Sequence, residues 1–153
     1  MTANISPIFS RTPDVQISGT LNSGTILGPT AVTAQDGTGA LLPIFQADST
    51  EGGYVDTIVL KSVGSPAFTV ARVFLCNVTG AFTSGSSNTA STTVLLAEIT
   101  LPTITASNTL AQPEFSIPIR RPIPAGWRLL IGFATSTGSA GTGYVTTTFG
   151  GKY

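Results

Sequence analysis

The sequence predicts an all-β, single-domain sandwich, and three observations carry that expectation. Short runs rich in Val, Ile, Thr and Phe are separated by Gly, Pro, Ser and Asn, the pattern of strands and turns. No stretch shows a long helical period built from good helix formers. The 153 residues suffice for one core without disulfides or metal, because domains of this size hide roughly 70% of their unfolded surface.

Residues 1–13 are expected to form an extended arm, and residues 14–153 the sandwich. The arm carries apolar anchors Ile5, Ile8 and Phe9 among Ser6, Pro7, Thr12 and Pro13; proline holds the residue before it in extended conformations. Two readings stand for it: a segment laid on a partner, or a first strand folded onto its own sandwich.

The first predicted strand is Asp14 to Thr20. Residues 18–39 are Gly- and Thr-rich, with a short edge strand expected around Thr30 to Ala34. Ala40 to Gln46 and Tyr54 to Val63 follow. Phe68 to Asn77 is apolar on both faces except for Arg72, flanked by Val70 and Phe74. Such a strand wants cover on both sides; the sandwich core supplies one, and a neighbouring subunit is expected to supply the other. The Ser/Thr/Gly-rich stretch 79–93 reads as an exposed, mobile loop.

In Thr93 to Leu101, Leu95, Ala97, Ile99 and Leu101 share one face, opposite Val94, Leu96, Glu98 and Thr100. Glu114 to Ile119 alternates Phe115, Ile117 and Ile119 against Glu114, Ser116 and Pro118, and a proline inside a strand restricts it to an edge or a bulge. The segment "RRPIPAG", 120–126, reads as a turn, with Pro124 and Gly126 supplying the backbone angles. Gly126 to Ala134 puts Trp127, Leu129, Ile131 and Phe133 inward. Gly143 to Phe149 closes the series. Eight strands is the count of a jelly roll, and a seven-strand sandwich also fits.

Charge is scarce: 9% of residues, with seven basic against seven acidic, where about 25% is usual. The balance removes the footprint of a nucleic-acid binder. A nearly uncharged apolar surface tends to associate, so much of it is expected to be covered in use; a neutral surface of Ser, Thr, Asn and Gly is the simpler alternative. The single Cys76 lies in an apolar run and reads as a buried thiol. No basic leader precedes an apolar core, and no apolar run reaches the roughly 18 residues of a membrane helix. These features predict a soluble protein made in a cytosol.

The chain has no histidine, which excludes the commonest general base and metal ligand and every Ser-His-Asp or Cys-His arrangement. With one cysteine, ordinary zinc sites are excluded as well. Asp14, Asp36, Asp48, Glu51, Asp56, Glu98 and Glu114 are the carboxylates. "QDGTG" and "DSTEGG" offer oxygens to calcium but lack the spaced ligands of a calcium loop, and Asp-Gly is first a turn signal. "GSAGTG" lacks the Lys-Ser/Thr ending of a phosphate loop. No enzyme activity and no cofactor are expected.

The segments "ISPIFSRTPD", "YVDTIVLKSVG", "ARVFLCN", "LLAEITLPTITAS" and "PIPAGWRLLIGF", in that order, resemble the small head-decoration or cement proteins of tailed bacteriophages, over most of the chain from about Ile5. That resemblance implies a jelly-roll sandwich, commonly a homotrimer, on the outer surface of the capsid. There it bridges and stabilises major capsid proteins, without enzyme activity, membrane or direct nucleic-acid contact. Ile5, Pro7, Ile8, Phe9 and Arg11 are the candidate capsid-binding residues. Arg72, Phe74, Glu98, Glu114, Arg120, Arg121 and Arg128 are the candidate subunit-interface residues. Arginines on otherwise apolar strands need partners, so some of Arg72, Arg120, Arg121 and Arg128 are expected to pair with Asp56, Glu98 or Glu114, within or between chains. The competing function is a glycan- or receptor-binding module of a tail or fibre, with Tyr54, Trp127, Tyr144 and Tyr153 as candidate stacking residues.

Overall fold

The computed structural model describes residues 12–17, 26–139 and 141–153, and every regular element among them is a strand. These are β1 (Thr12–Ile17), β2 (Leu42–Gln46), β3 (Gly53–Val63), β4 (Thr69–Cys76), β5 (Thr93–Leu101), β6 (Glu114–Ile123), β7 (Arg128–Phe133) and β8 (Gly143–Lys152). Each of the eight expected runs contains a strand: the half-buried ones follow period-two alternation of apolar and polar residues, while β4 and β7 are apolar runs buried on both faces. A front sheet has the order β1-β8-β3-β6 and a back sheet the order β2-β7-β4-β5. All neighbours are antiparallel, so the chain is a β-sandwich.

The pairing is nested. β1 pairs with β8, β2 with β7, β3 with β6 and β4 with β5, and successive pairs fall on opposite sheets. Contacts of β3 with β8 and β4 with β7 join the pairs laterally.

Between the sheets lie Leu27, Ile44, Phe45, Ile58, Leu60, Val73, Leu101, Ile117, Leu129, Ile131, Phe133 and Tyr144. Leu129, Ile131 and Phe133 point inward as the alternation requires, and Trp127 packs half-buried at the rim. Burying such a side chain stabilises by about 1.5–3 kcal/mol. Tyr144 stacks on Phe133 (5.6 Å between centroids, 9° between planes) and meets Phe115 edge-on at 6.4 Å. Among the described residues its buried hydroxyl has no hydrogen-bond partner, and burial pushes the phenol pKa up. Thr148, also buried, donates its hydroxyl to the Ile44 carbonyl at 3.0 Å.

The back sheet is buried on its outer face too, and here the structure corrects the expectation of a subunit as its cover. Phe74, Cys76 and Leu130 form a second cluster with Val32 and Leu41, joined by Val78, Phe82 and Leu95. The cover is therefore the chain's own segments 30–41 and 78–88. The expected edge strand at Thr30 to Ala34 makes one isolated parallel bridge, Ala31 to Phe133, with the Val32 N–H donating to the Phe133 carbonyl at 2.7 Å. Val32 turns into the second cluster, so the segment crosses the sheet's face instead of lengthening the sheet.

β6 is an edge strand, as its proline requires, but it runs on to Ile123, so Arg120 and Arg121 belong to the strand and not to the turn. Opposite Asp56 the β3–β6 register slips, and Arg120 takes φ +51°, a conformation uncommon outside glycine. The turn itself is tight: the Trp127 N–H donates to the Pro124 carbonyl at 3.1 Å, with Gly126 at φ +73°. Pro124 thus opens the turn, and Ala125 and Gly126 are its central residues. On the other side of β3, Asp56 is an extra residue against β8. Gly150 lies beside that bulge, where a Cβ would overlap the Tyr54 carbonyl oxygen.

Candidate interaction surface

The two outer faces of the sandwich differ, and the difference begins with the buried arginines. Arg72 on β4 donates Nε to Glu98 Oε1 at 2.8 Å and Nη1 to the carbonyls of Val32 (3.2 Å) and Thr33 (3.0 Å). Arg128 on β7 is buried and, among the described residues, meets no carboxylate. It donates Nη1 to the Val78 carbonyl at 3.0 Å and Nη2 to the Gly80 carbonyl, with its guanidinium 5.5 Å from the Phe82 ring centre. Burial lowers its pKa from the ordinary arginine value. Carbonyl oxygens and a ring face supply the polar environment that a buried cation needs. Each arginine therefore straps a loop to the back sheet.

Asn88 completes the strap. It is buried in the Ser/Thr-rich loop, donates Nδ2 to the carbonyls of Gly37 (2.9 Å) and Gly39 (2.7 Å), and accepts the Gly85 N–H at 2.8 Å. The stretch that reads as a free loop is tied to the second cluster. The signal was one asparagine among serines and threonines, and it has no period to reveal it.

The front sheet keeps its outer face open. The register aligns Val15, Phe149, Thr57 and Pro118 across β1, β8, β3 and β6, then Thr147, Val59 and Ser116, then Val145, Lys61 and Glu114. None of these residues is buried, and Val15 and Phe149 are 55% and 41% exposed. Lys61 and Glu114 are the only charges in the three rows and stand opposite each other. Among the described residues, this leaves an uncovered sheet face with apolar side chains at its β1–β8 side and exposed charges, including Asp56, Arg120 and Arg121 by the register slip, at its β3–β6 side.

The sandwich is also closed on one flank. Gln16 of β1 donates Nε2 to the Gln46 carbonyl (2.9 Å) and accepts the Gln46 N–H on Oε1 (2.8 Å), so its amide pairs with the free edge of β2 as a strand would. The same Nε2 reaches Asp14 Oδ2 at 2.6 Å, and Asp14 meets Lys152 at 3.5 Å. A polar cleft of about 440 Å³ lies here, lined by these residues with Asp48. Asp48 accepts the N–H groups of Thr50 and Glu51, which lower its pKa with help from Lys152. Asp36 is held low in the same way, first by the Thr38 hydroxyl and then by its N–H. Asp36 and Asp48, two of the three carboxylates in the segments named for calcium, are thus turn acceptors, and among the described residues no three acidic or thiol side chains gather to hold a metal.

The residues expected at a subunit interface separate into two groups. Phe74, Arg72 and Arg128 are covered by the chain's own loops, out of reach of a neighbour, because alternation assigns a face without saying what lies on it. Glu98, Glu114, Arg120 and Arg121 are exposed. Of the four arginines, Arg72 alone meets one of the named carboxylates among the described residues. Ile5, Pro7, Ile8, Phe9 and Arg11 lie outside the described residues. Of the aromatic residues considered for sugar stacking, Tyr144 is fully buried and cannot reach a ligand, while Tyr54, Trp127 and Tyr153 are half-buried.

No protein-family model, curated protein or solved structure matches this chain.

Proposed function

We propose that this protein is a capsid decoration protein of jelly-roll type, which lies on the outer surface of a phage head and bridges neighbouring major capsid proteins. The observation that carries the reading is the contrast between the faces: the back sheet is covered by the chain's own loops, whereas among the described residues nothing covers the front sheet's outer face, which is apolar toward β1 and β8 and carries its charges toward β6. A cementing role needs a broad surface of modest affinity repeated many times, since linked copies turn later contacts into intramolecular ones. The sequence resemblance supports the same reading, and the chain's zero net charge lets copies lie close together without mutual repulsion. In this role the front face, with Val15 and Phe149 at its apolar end, meets the shell, and residues 1–11 extend the contact through Ile5, Ile8 and Phe9.

The test is co-sedimentation with expanded phage heads lacking the protein. A Val15→Lys/Phe149→Lys variant with an unchanged circular dichroism spectrum is expected to bind at least about 30-fold more weakly, the equivalent of about 2 kcal/mol of lost apolar burial. Undiminished binding by a folded variant overturns the assignment of the front face. Failure of the unaltered protein to bind heads overturns the function itself.

A further inference from the structure

Of the four edge strands, three are blocked. β1 contains Pro13, β2 contains Pro43 and has its free edge at Gln46 occupied by the Gln16 amide, and β6 contains Pro118, Pro122 and the slipped register at Arg120. Proline, bulges and covered edges are how sheets avoid unintended pairing. β5 is different: it has no proline, and among the described residues no segment other than β4 makes a backbone hydrogen bond to residues 94–101.

A register shift in the β4–β5 pairing, where Val73 opposes Ala97 and Phe74 opposes Leu95, leaves Leu96 as an extra residue. From Ala97 to Leu101 the ladder is regular. Within that half, Ile99 is half-buried and packs against the core between the sheets. The only charge, Glu98, is already matched by Arg72 at 2.8 Å.

We propose that residues 97–101 of β5 are a site of strand addition, and that the occupant is the same segment of a second copy of this chain, paired antiparallel about a two-fold axis. Strand addition supplies main-chain hydrogen bonds to an open edge, and an isologous contact requires a self-complementary patch. A register with Ile99 opposite Ile99 meets that requirement. It sets Ala97 opposite Leu101 and Glu98 opposite Thr100, so no like charges stand directly opposed. Both sheets' core-side faces then continue into one another, and the half-exposed Ile99 side chains cover each other. The contact is separate from the three-fold association that the resemblance implies, and it does not rest on binding to a shell.

The decisive variant is Ile99→Cys, because directly opposed antiparallel residues have Cα atoms about 4.5–5.5 Å apart, within disulfide range. The native Cys76 is buried, which makes the unaltered protein a silent control. Under mild oxidation Ile99→Cys is expected to cross-link into dimers at least ten-fold faster than Leu110→Cys, a control at a 73% exposed position outside the strands; equal rates overturn the proposal. The unaltered protein supplies a second measurement that does not depend on the variant folding. At about 100 μM, a concentration suited to a weak contact, its mass is expected to be an even multiple of 15.6 kDa. Amides within 97–101 are expected to exchange more slowly there than at about 1 μM. A monomeric or odd-numbered mass, or exchange in 97–101 that ignores concentration, overturns the proposal.

Discussion

Replacing Asn88 with alanine tests whether the Ser/Thr-rich loop is part of the folded body. The wild-type amide makes three hydrogen bonds, to the carbonyls of Gly37 and Gly39 and from the Gly85 N–H, at 2.7–2.9 Å. Each such bond contributes about 1 kcal/mol net, and a buried group left unpaired costs more. The expected loss is therefore about 3 kcal/mol, close to a hundred-fold in the folding equilibrium. Urea unfolding should show it as a lower midpoint with an unchanged slope, since the same surface is exposed on unfolding.

Asn88→Asp sharpens the test. It removes both donors and aims a buried carboxyl at two carbonyl oxygens, which raises its folded-state pKa above the unfolded value. The folded variant then binds the proton more tightly than the unfolded chain does. Its stability should rise as pH falls from neutral through the folded-state pKa, reaching its full value below the unfolded pKa near about 3.9. A loss below about 0.5 kcal/mol in the alanine variant, the size of an ordinary surface effect, would refute the pinned loop. So would an aspartate variant that gains no stability over the wild type on acidification.

Arg120→Gly should be neutral or stabilising by up to about 1 kcal/mol, because glycine relieves the positive φ. Arg121→Gly should cost about 0.5–1 kcal/mol as an ordinary strand substitution; thermal melts that rank them the other way contradict the strained bulge. The Tyr144 phenol should ionise above its usual range in an ultraviolet titration of the folded protein. Its pKa is raised by burial, so its contribution to stability is full below the unfolded value near about 10 and is lost as pH rises through the folded value. Deleting residues 1–11 should weaken binding to expanded heads; full binding by the truncated chain removes the arm from the proposed contact.

How far the sequence reached depended on whether a feature has a period. Leu129, Ile131 and Phe133 declare their face by strict alternation, and Pro118 declares an edge because it cannot donate to a ladder. Phe74, Cys76 and Leu130 declare only that a second face is apolar. What covers it comes from Val32, Leu41 and Phe82, isolated residues among glycines, serines and threonines whose positions depend on the path of each loop. Arg128 was misplaced for the same reason: its strand position was legible, but the carbonyls of Val78 and Gly80 that receive it are fixed only in three dimensions. The front surface was partly legible through Ser116, Pro118 and Glu114, whereas Gln16 joining the sheets had no sequence signal beyond a polar residue in a short strand.

Nested pairing also sets a schedule for the chain. Joining β4 to β5 closes only the segment 77–92, whereas joining β1 to β8 encloses nearly everything between them, and longer loops cost more entropy to close. A nucleus at the β4–β5 hairpin, followed by β3 with β6, then β2 with β7 and finally β1 with β8, meets that cost in the smallest steps. Folding of so non-local a topology is expected on the millisecond-to-second scale, with φ-values high in β4 and β5 and low in β1. The strand that starts the sequence of events would then be the one whose outer edge stays open longest to a second chain.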